Sequence, residues 1–132
     1  MQLRLNPAIN LNHGAAAFEK TGMVQISDIF EPDLANEIAT MLEKSLPWGL
    51  AFQGVNGPQA YNRQQLRAAD QQQMRSDLKS MLERTGQGYG FMYLSYPMIT
   101  AYLQQWDPGH PIHQLTEFLN SPEFVQIGVR LT

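Results

Sequence analysis

His110 and His113 stand three positions apart in HPIHQL, and Glu117 follows His113 by four. Two imidazoles and a carboxylate are a donor set for a divalent metal that keeps open positions for substrate. On a helix His113 and Glu117 share a face. His110 precedes Pro111, which biases it to an extended backbone, so it would reach such a metal from the preceding loop. The plainer alternative makes His110 part of a turn and His113 with Glu117 a solvated helix face. The plainer alternative is the expectation. His13 is isolated and reads as a surface or capping residue.

No other stretch carries a catalytic signature. There is no G-x-S-x-G, no phosphate-cradling glycine loop and no H-E-x-x-H. GQGYG at 86–90 partly matches a dinucleotide loop, but it follows a helix and precedes a strand, the wrong order. A helix cap followed by a turn is the expectation there. Tyr89, Phe91, Tyr93, Tyr96 and Tyr102 form an aromatic cluster that would line a peptide or ligand groove. Phe91 and Tyr93 read as sheet core, and Trp48 and Trp106 as core or rim aromatics.

The elements that must position these residues fit one domain of 132 residues. Hydrophobic residues make up 43%, enough for a core. A net charge of −3 leaves no phosphate-seeking basic face, so nucleic acid is not an expected partner. Charged residues are only 16%, which makes for an unusually neutral surface, with Gln71, Gln72 and Gln73 contributing to it. The chain has no cysteine, which excludes disulfides, thiolate metal sites and Cys nucleophiles. MQLRLNPAIN does not read as a signal peptide and no stretch reads as a membrane span, so a soluble cytoplasmic protein is expected.

Residues 13–21 predict a short helix ended by Gly22. MVQISDIF alternates and is rich in β-branched residues, a strand pattern. EPDLANEIATMLEKSLP is the clearest helix. Pro32 suits its first position, Asp33, Glu37 and Lys44 match the dipole, and Leu34, Ile38, Met41 and Leu42 make one apolar stripe. WGLAFQGVNG predicts a strand ending in the turn pair Asn56-Gly57, and PQAYNRQQLRAAD has no firm period. Met74, Leu78, Met81 and Leu82 repeat the helical stripe, with Gly86 as a left-handed cap. GYGFMYLSYPM predicts an aromatic strand, ITAYLQQW a helix and Asp107-Pro108-Gly109 a turn. For residues 124–132 a helix start at Ser121-Pro122-Glu123 competes with strand-like alternation of Val125, Ile127, Val129 and Leu131. The start signal is the more specific, and a helix is expected.

The order of these pieces resembles Fe(II)/2-oxoglutarate-dependent dioxygenases of the prolyl-4-hydroxylase type. GMVQISDIF followed by EPDLANEIATML resembles their opening. FMYLSYPMITAYLQQWDPGHPIHQLTEFLNSPEFVQIGVRLT resembles the segment before the catalytic barrel in bacterial and fungal proline hydroxylases of that group. There an aromatic strand ending in Tyr-Pro leads to a helix, a DPG-like turn and a helix ending in L-N-S-P. The resemblance implies a double-stranded β-helix enzyme holding Fe(II) through an H-x-D and a distant His, with a later Arg or Lys for 2-oxoglutarate. Three protein ligands on one face of the iron leave three positions for cosubstrate and O₂.

This chain has no H-x-D, and HPIHQL precedes the place of that motif. The resemblance therefore assigns no catalytic, cofactor-binding or metal residue here. It implies that the motif begins beyond Thr132. The apolar finish at VRLT fits the N-terminal portion of a longer protein, with Fe(II), 2-oxoglutarate and a protein or peptide substrate belonging to the full-length parent. The loop holding Asn56, Gly57, Tyr61 and Arg63 would correspond to the family's substrate flap.

The expected fold is α+β: helices packed on one small, mainly antiparallel sheet of about three strands, the N-terminal part of a double-stranded β-helix protein. The alternative function is a stand-alone, non-catalytic protein-interaction module using the Gln- and Tyr-rich surface. A homodimer or larger assembly is expected, with GYGFMYLSY as an exposed edge strand and FVQIGVRLT as exposed apolar surface.

Overall fold

Apolar residues spaced at three and four positions become helices along most of this chain, and the intervening runs become extended backbone. The computed structural model describes residues Met1–Thr132. In chain order the elements are α1 (Leu11–Thr21), α2 (Pro32–Lys44), β1 (Gly49–Gly54), β2 (Gly57–Tyr61) and α3 (Arg63–Ala68). Then follow α4 (Gln71–Thr85), β3 (Met92–Ser95), α5 (Met98–Leu103), α6 (Ile112–Leu119) and α7 (Pro122–Leu131). The fold is α+β, with seven helices and one three-stranded antiparallel sheet. Residues 1–46 with 98–132 form a helical unit, and residues 47–97 form a unit holding the sheet. No helix is long and apolar enough to cross a membrane.

In the helical unit, local sequence sets the helix ends. The Asn10 side chain accepts from Asn12 N at the start of α1, and Gly22 at φ 69° closes it, its N–H bonding to Phe18 O. A left-handed closure of this kind suits a residue without Cβ. In α2, Pro32 opens the helix, Asp33 lies in the first turn and Lys44 in the last, as the dipole favours. Its stripe turns Leu34, Ile38 and Met41 into the core, with Leu42 half-buried. Ser121 caps α7 by accepting from Phe124 N at 3.2 Å, and residues 122–131 are helical, as the start signal predicts. Of its apolar residues Ile127 is buried while Val125 and Val129 are exposed. Phe118 of α6 joins this core through ring contacts with Phe30 and Phe124.

MVQISDIF is not a strand. Residues 23–27 run outside any helix or strand, with Val24 and Ile26 half-buried and Met23, Gln25 and Ser27 exposed, so the alternation reports real sidedness, and Asp28 ends the run at a left-handed φ of 56°. No neighbouring strand pairs with them. The nearest anchors are Asn6 N to Ile29 O at 2.8 Å and Asn6 Nδ2 to Asp28 O at 3.0 Å. Alternation diagnoses an extended backbone with one covered face, whereas a ladder also requires a partner. The cover is partly α1, which admits Ile26 because residue 14 is glycine: a Cβ there would sit 2.5 Å from Ile26 Cδ1 and 2.9 Å from Leu131 Cδ2.

In the sheet unit the strand order is β2-β1-β3. The hairpin register runs from Leu50 opposite Tyr61 to Gly54 opposite Gly57. The two loop residues are thus Val55 and Asn56, one position earlier than the expected Asn56-Gly57 turn, and Gly57 takes φ 112° at the start of β2. PQAYNRQQLRAAD, which has no firm period, resolves into β2 and α3. Asn62 and Gln65 form a reciprocal capping box at the start of α3. The predicted aromatic strand contracts to Met92–Ser95, opposite Phe52–Gly49 of β1.

The central β1 is the most buried strand, with Phe52 fully enclosed, and α3 and α4 pack on it. In α4, Met81 is 3% exposed, whereas Leu82 is 62% exposed and lies off the buried face. Gly86 is right-handed at φ −70°, so α4 does not end in the left-handed cap expected of it. Tyr93, expected in the sheet core, is exposed on β3, which lies at the sheet edge.

Candidate functional site

The histidine region is built from a reversal between α5 and α6. Trp106 N bonds to Ala101 O, then Asp107 at φ 46° and Gly109 at φ 83° turn the chain. This places His110 and His113 at the head of α6, as the expected turn implies. Each ring then meets a backbone group that its own local sequence does not announce.

His110 Nδ1 accepts from Ile112 N at 3.1 Å. In its neutral form the ring therefore carries its proton on Nε2, which donates to Ser45 O at 3.2 Å. The Ser45 hydroxyl lies 3.3 Å from the same nitrogen and donates to Met41 O. His110 thus fastens the end of α2 to the start of α6, using both ring nitrogens.

His113 is half-buried, and its Nε2 donates to Trp106 O at 2.6 Å. Its Nδ1 is buried and has no partner. The ring packs against Tyr102 with centroids 5.9 Å apart. The Tyr102 hydroxyl donates to Glu117 Oε1 at 2.8 Å. That hydrogen bond raises the tyrosine pKa above its ordinary 10.0, and the negative charge of Glu117 adds to it, with burial a further cause.

His110, His113 and Glu117 therefore take part in three different contacts and do not converge as ligands. Nowhere does the chain gather three His, Cys, Asp or Glu side chains able to hold one metal ion. The contacts these side chains make do not fit an Fe(II) facial triad. The arrangement is a joint between helices. Sequence reasoning did not find Ser45, which lies 65 positions from His110, or the Tyr102–Glu117 pair 15 positions apart. No local pattern marks partners so distant. His13 is exposed on α1, in keeping with its expected surface role.

The four flap candidates lie on the hairpin of the sheet unit. Asn56 and Gly57 are at its tip, and Tyr61 and Arg63 are at its base. Four strand positions separate Gly57 from Tyr61, about 14 Å along the ladder. Tyr61 is held by stacking on Phe52, with centroids 6.0 Å apart, and by donating to Gln59 Oε1. Arg63 is exposed at the first turn of α3.

Several hollows open on the helical unit. One, of about 720 Å³, runs beside α1 and residues 23–28, lined among others by Asn6, Asn10, His13, Val24 and Ile26. Another, of about 580 Å³, is bounded by Tyr102, Leu103, Gln105, Pro108 and His113. Comparison of the chain with protein-family models, with curated proteins and with solved structures finds no match.

Proposed function

We propose that this chain is the N-terminal, non-catalytic portion of a prolyl-4-hydroxylase-like Fe(II)/2-oxoglutarate dioxygenase. In this reading it is the first part of a double-stranded β-helix protein whose complete form hydroxylates a prolyl residue of a protein or peptide. The observation that carries it is the order of elements in the second half. An aromatic strand, β3, runs into Tyr96-Pro97 and is followed by the helix α5, the Asp107-Pro108-Gly109 turn and the helix α6. Then come Asn120-Ser121-Pro122 and α7. This is the order that the resemblance to proline hydroxylases implies. The unpaired, alternating run Met23–Ser27 adds support, since an extended backbone with one covered face suits the margin of a larger sheet.

The iron and 2-oxoglutarate ligands are assigned to no residue of this chain. Its own residues contribute scaffold: His110 locks α2 to α6, and the hairpin holding Asn56 and Gly57 is the segment this reading assigns to the substrate flap. A chain without cysteine suits the reducing cytoplasm, which is the location this reading carries. The experiment is to sequence the transcript beyond the codon for Thr132. An in-frame H-x-D followed by a distant His is the expected result. A stop codon directly after Thr132 overturns the reading.

The second reading is a stand-alone interaction module. It is favoured by the exposure of Tyr89, Met92, Tyr93 and Leu94 on and beside β3, a concentration of large apolar side chains at a sheet edge.

A further inference from the structure

β3 is an edge strand that carries neither a charge nor a proline as a guard. Edge strands in soluble proteins carry charges, prolines or covering elements that prevent pairing with another chain. From Gly86 to Trp106 this sequence has no charged side chain, and its one proline, Pro97, lies beyond the strand. Met92, Tyr93 and Leu94 are 48%, 56% and 63% exposed, so side chains on both faces of the strand are open. Tyr89, 85% exposed, leads a run of ring contacts from Tyr89 to Phe91 and from Phe91 to Tyr93.

The ladder decides which backbone groups point outward. Gln53 N donates to Phe91 O, and Ala51 and Gly49 stand opposite Tyr93 and Ser95. Residues of an antiparallel pair alternate between bonding inward and outward. Phe91, Tyr93 and Ser95 therefore face β1, and Met92 and Leu94 turn their N–H and C=O groups away from it.

From this geometry we infer that β3 pairs antiparallel with β3 of a second copy of this chain, about a two-fold axis at Tyr93. Met92 of each copy stands opposite Leu94 of the other, and their outward groups form four backbone hydrogen bonds. The three-stranded sheet becomes six-stranded. Tyr93 lies opposite Tyr93 of the second copy, and such aromatic cross-strand pairs favour association.

Two observations select a second copy as the occupant. A segment without charge places no like charges opposite one another when it meets itself. The area is also sufficient: at roughly 200 Å² per large side chain, the exposed fractions of Tyr89, Met92, Tyr93 and Leu94 amount to about 500 Å² per chain. Two copies thus offer about 1,000 Å², the lower bound of a specific interface. This inference does not rest on the dioxygenase reading, which the transcript decides independently.

The absence of cysteine makes the test direct. Light scattering of the 132-residue chain at about 100 µM, above the micromolar Kd such an interface supports, should give twice the monomer mass. Tyr93→Cys should oxidise to a disulfide-linked dimer, because Cα atoms opposite in such a non-hydrogen-bonded pair lie about 4.5 Å apart, within disulfide reach. Val55→Cys at the hairpin tip should not. Leu94→Pro removes an outward N–H, which an edge strand tolerates, and should raise the dimer Kd about tenfold or more with an unchanged circular dichroism spectrum. Should Leu94→Pro fail to fold, the contrast between the two cysteine variants decides. A monomer at that concentration overturns the inference, as does a dimer in which Tyr93→Cys links no faster than Val55→Cys.

Discussion

The hydroxyl of Tyr102 and the carboxylate of Glu117 form a contact with a distinct titration signature. The neutral phenol donates to the carboxylate, so removing its proton costs a hydrogen bond and sets two negative charges side by side. The folded pKa lies above the unfolded 10.0. The contribution of this contact to stability is therefore whole below pH 10 and is lost as pH rises through the folded value. In an ultraviolet tyrosinate titration of the native chain, Tyr102→Phe should remove a late-titrating component. Glu117→Gln should move that component earlier. A titration in which all five tyrosines behave alike in both variants would refute the assignment.

At the scale of elements, burial separates residues that share a sequence pattern. Ile38 lies on the buried stripe of α2, and Leu82 lies in the apolar repeat of α4 yet faces solvent. Ile38→Ala should cost about 2–5 kcal/mol through lost transfer energy and a residual cavity. Leu82→Ala should stay within about 0.5 kcal/mol. Urea denaturation of the two variants checks the pair, and equal losses would mean that the faces of α4 are wrongly assigned. The hairpin has its own sensitive point. A Cβ at Gly49 would press on the backbone carbonyl oxygen of Tyr61, which no side-chain motion can relieve. Gly49→Ala should therefore destabilise the sheet unit by about 1–3 kcal/mol, whereas alanine at Gly88, where a Cβ meets nothing, should leave the unfolding midpoint close to that of the parent chain.

At the scale of the whole molecule, the scattered donors set what this polypeptide does alone. His110 uses both ring nitrogens in holding α2 to α6, His113 donates to Trp106 O, and Glu117 accepts from Tyr102. The purified 132-residue chain with Fe(II) should therefore not couple 2-oxoglutarate decarboxylation to oxidation of a prolyl peptide. Succinate release above a metal-free control would require a ligand set these contacts do not provide. An active longer protein, by contrast, would be in keeping with the proposed parent enzyme.

Features determined within a few residues were legible in the sequence alone. Pro32, Asp33 and Lys44 mark α2, Ser121-Pro122 starts α7 and Gly22 ends α1, because caps, dipole preferences and positive φ are satisfied by neighbours in the chain. The succession of helical and strand-like segments also marked an α+β chain, and the composition a low surface charge. Pairing and enclosure were decided only by the tertiary structure. Residues 23–28 alternate like a strand yet have no strand beside them, while β2, which has no firm period, pairs fully with β1. The same holds for the histidines: their spacing suggested ligands, but the groups that engage them include Ser45, 65 residues away, and a carbonyl beyond a left-handed turn. A periodic pattern records which side of a segment is covered. What covers it depends on hydrogen-bond partners and packing surfaces brought together only when distant parts of the chain fold onto one another.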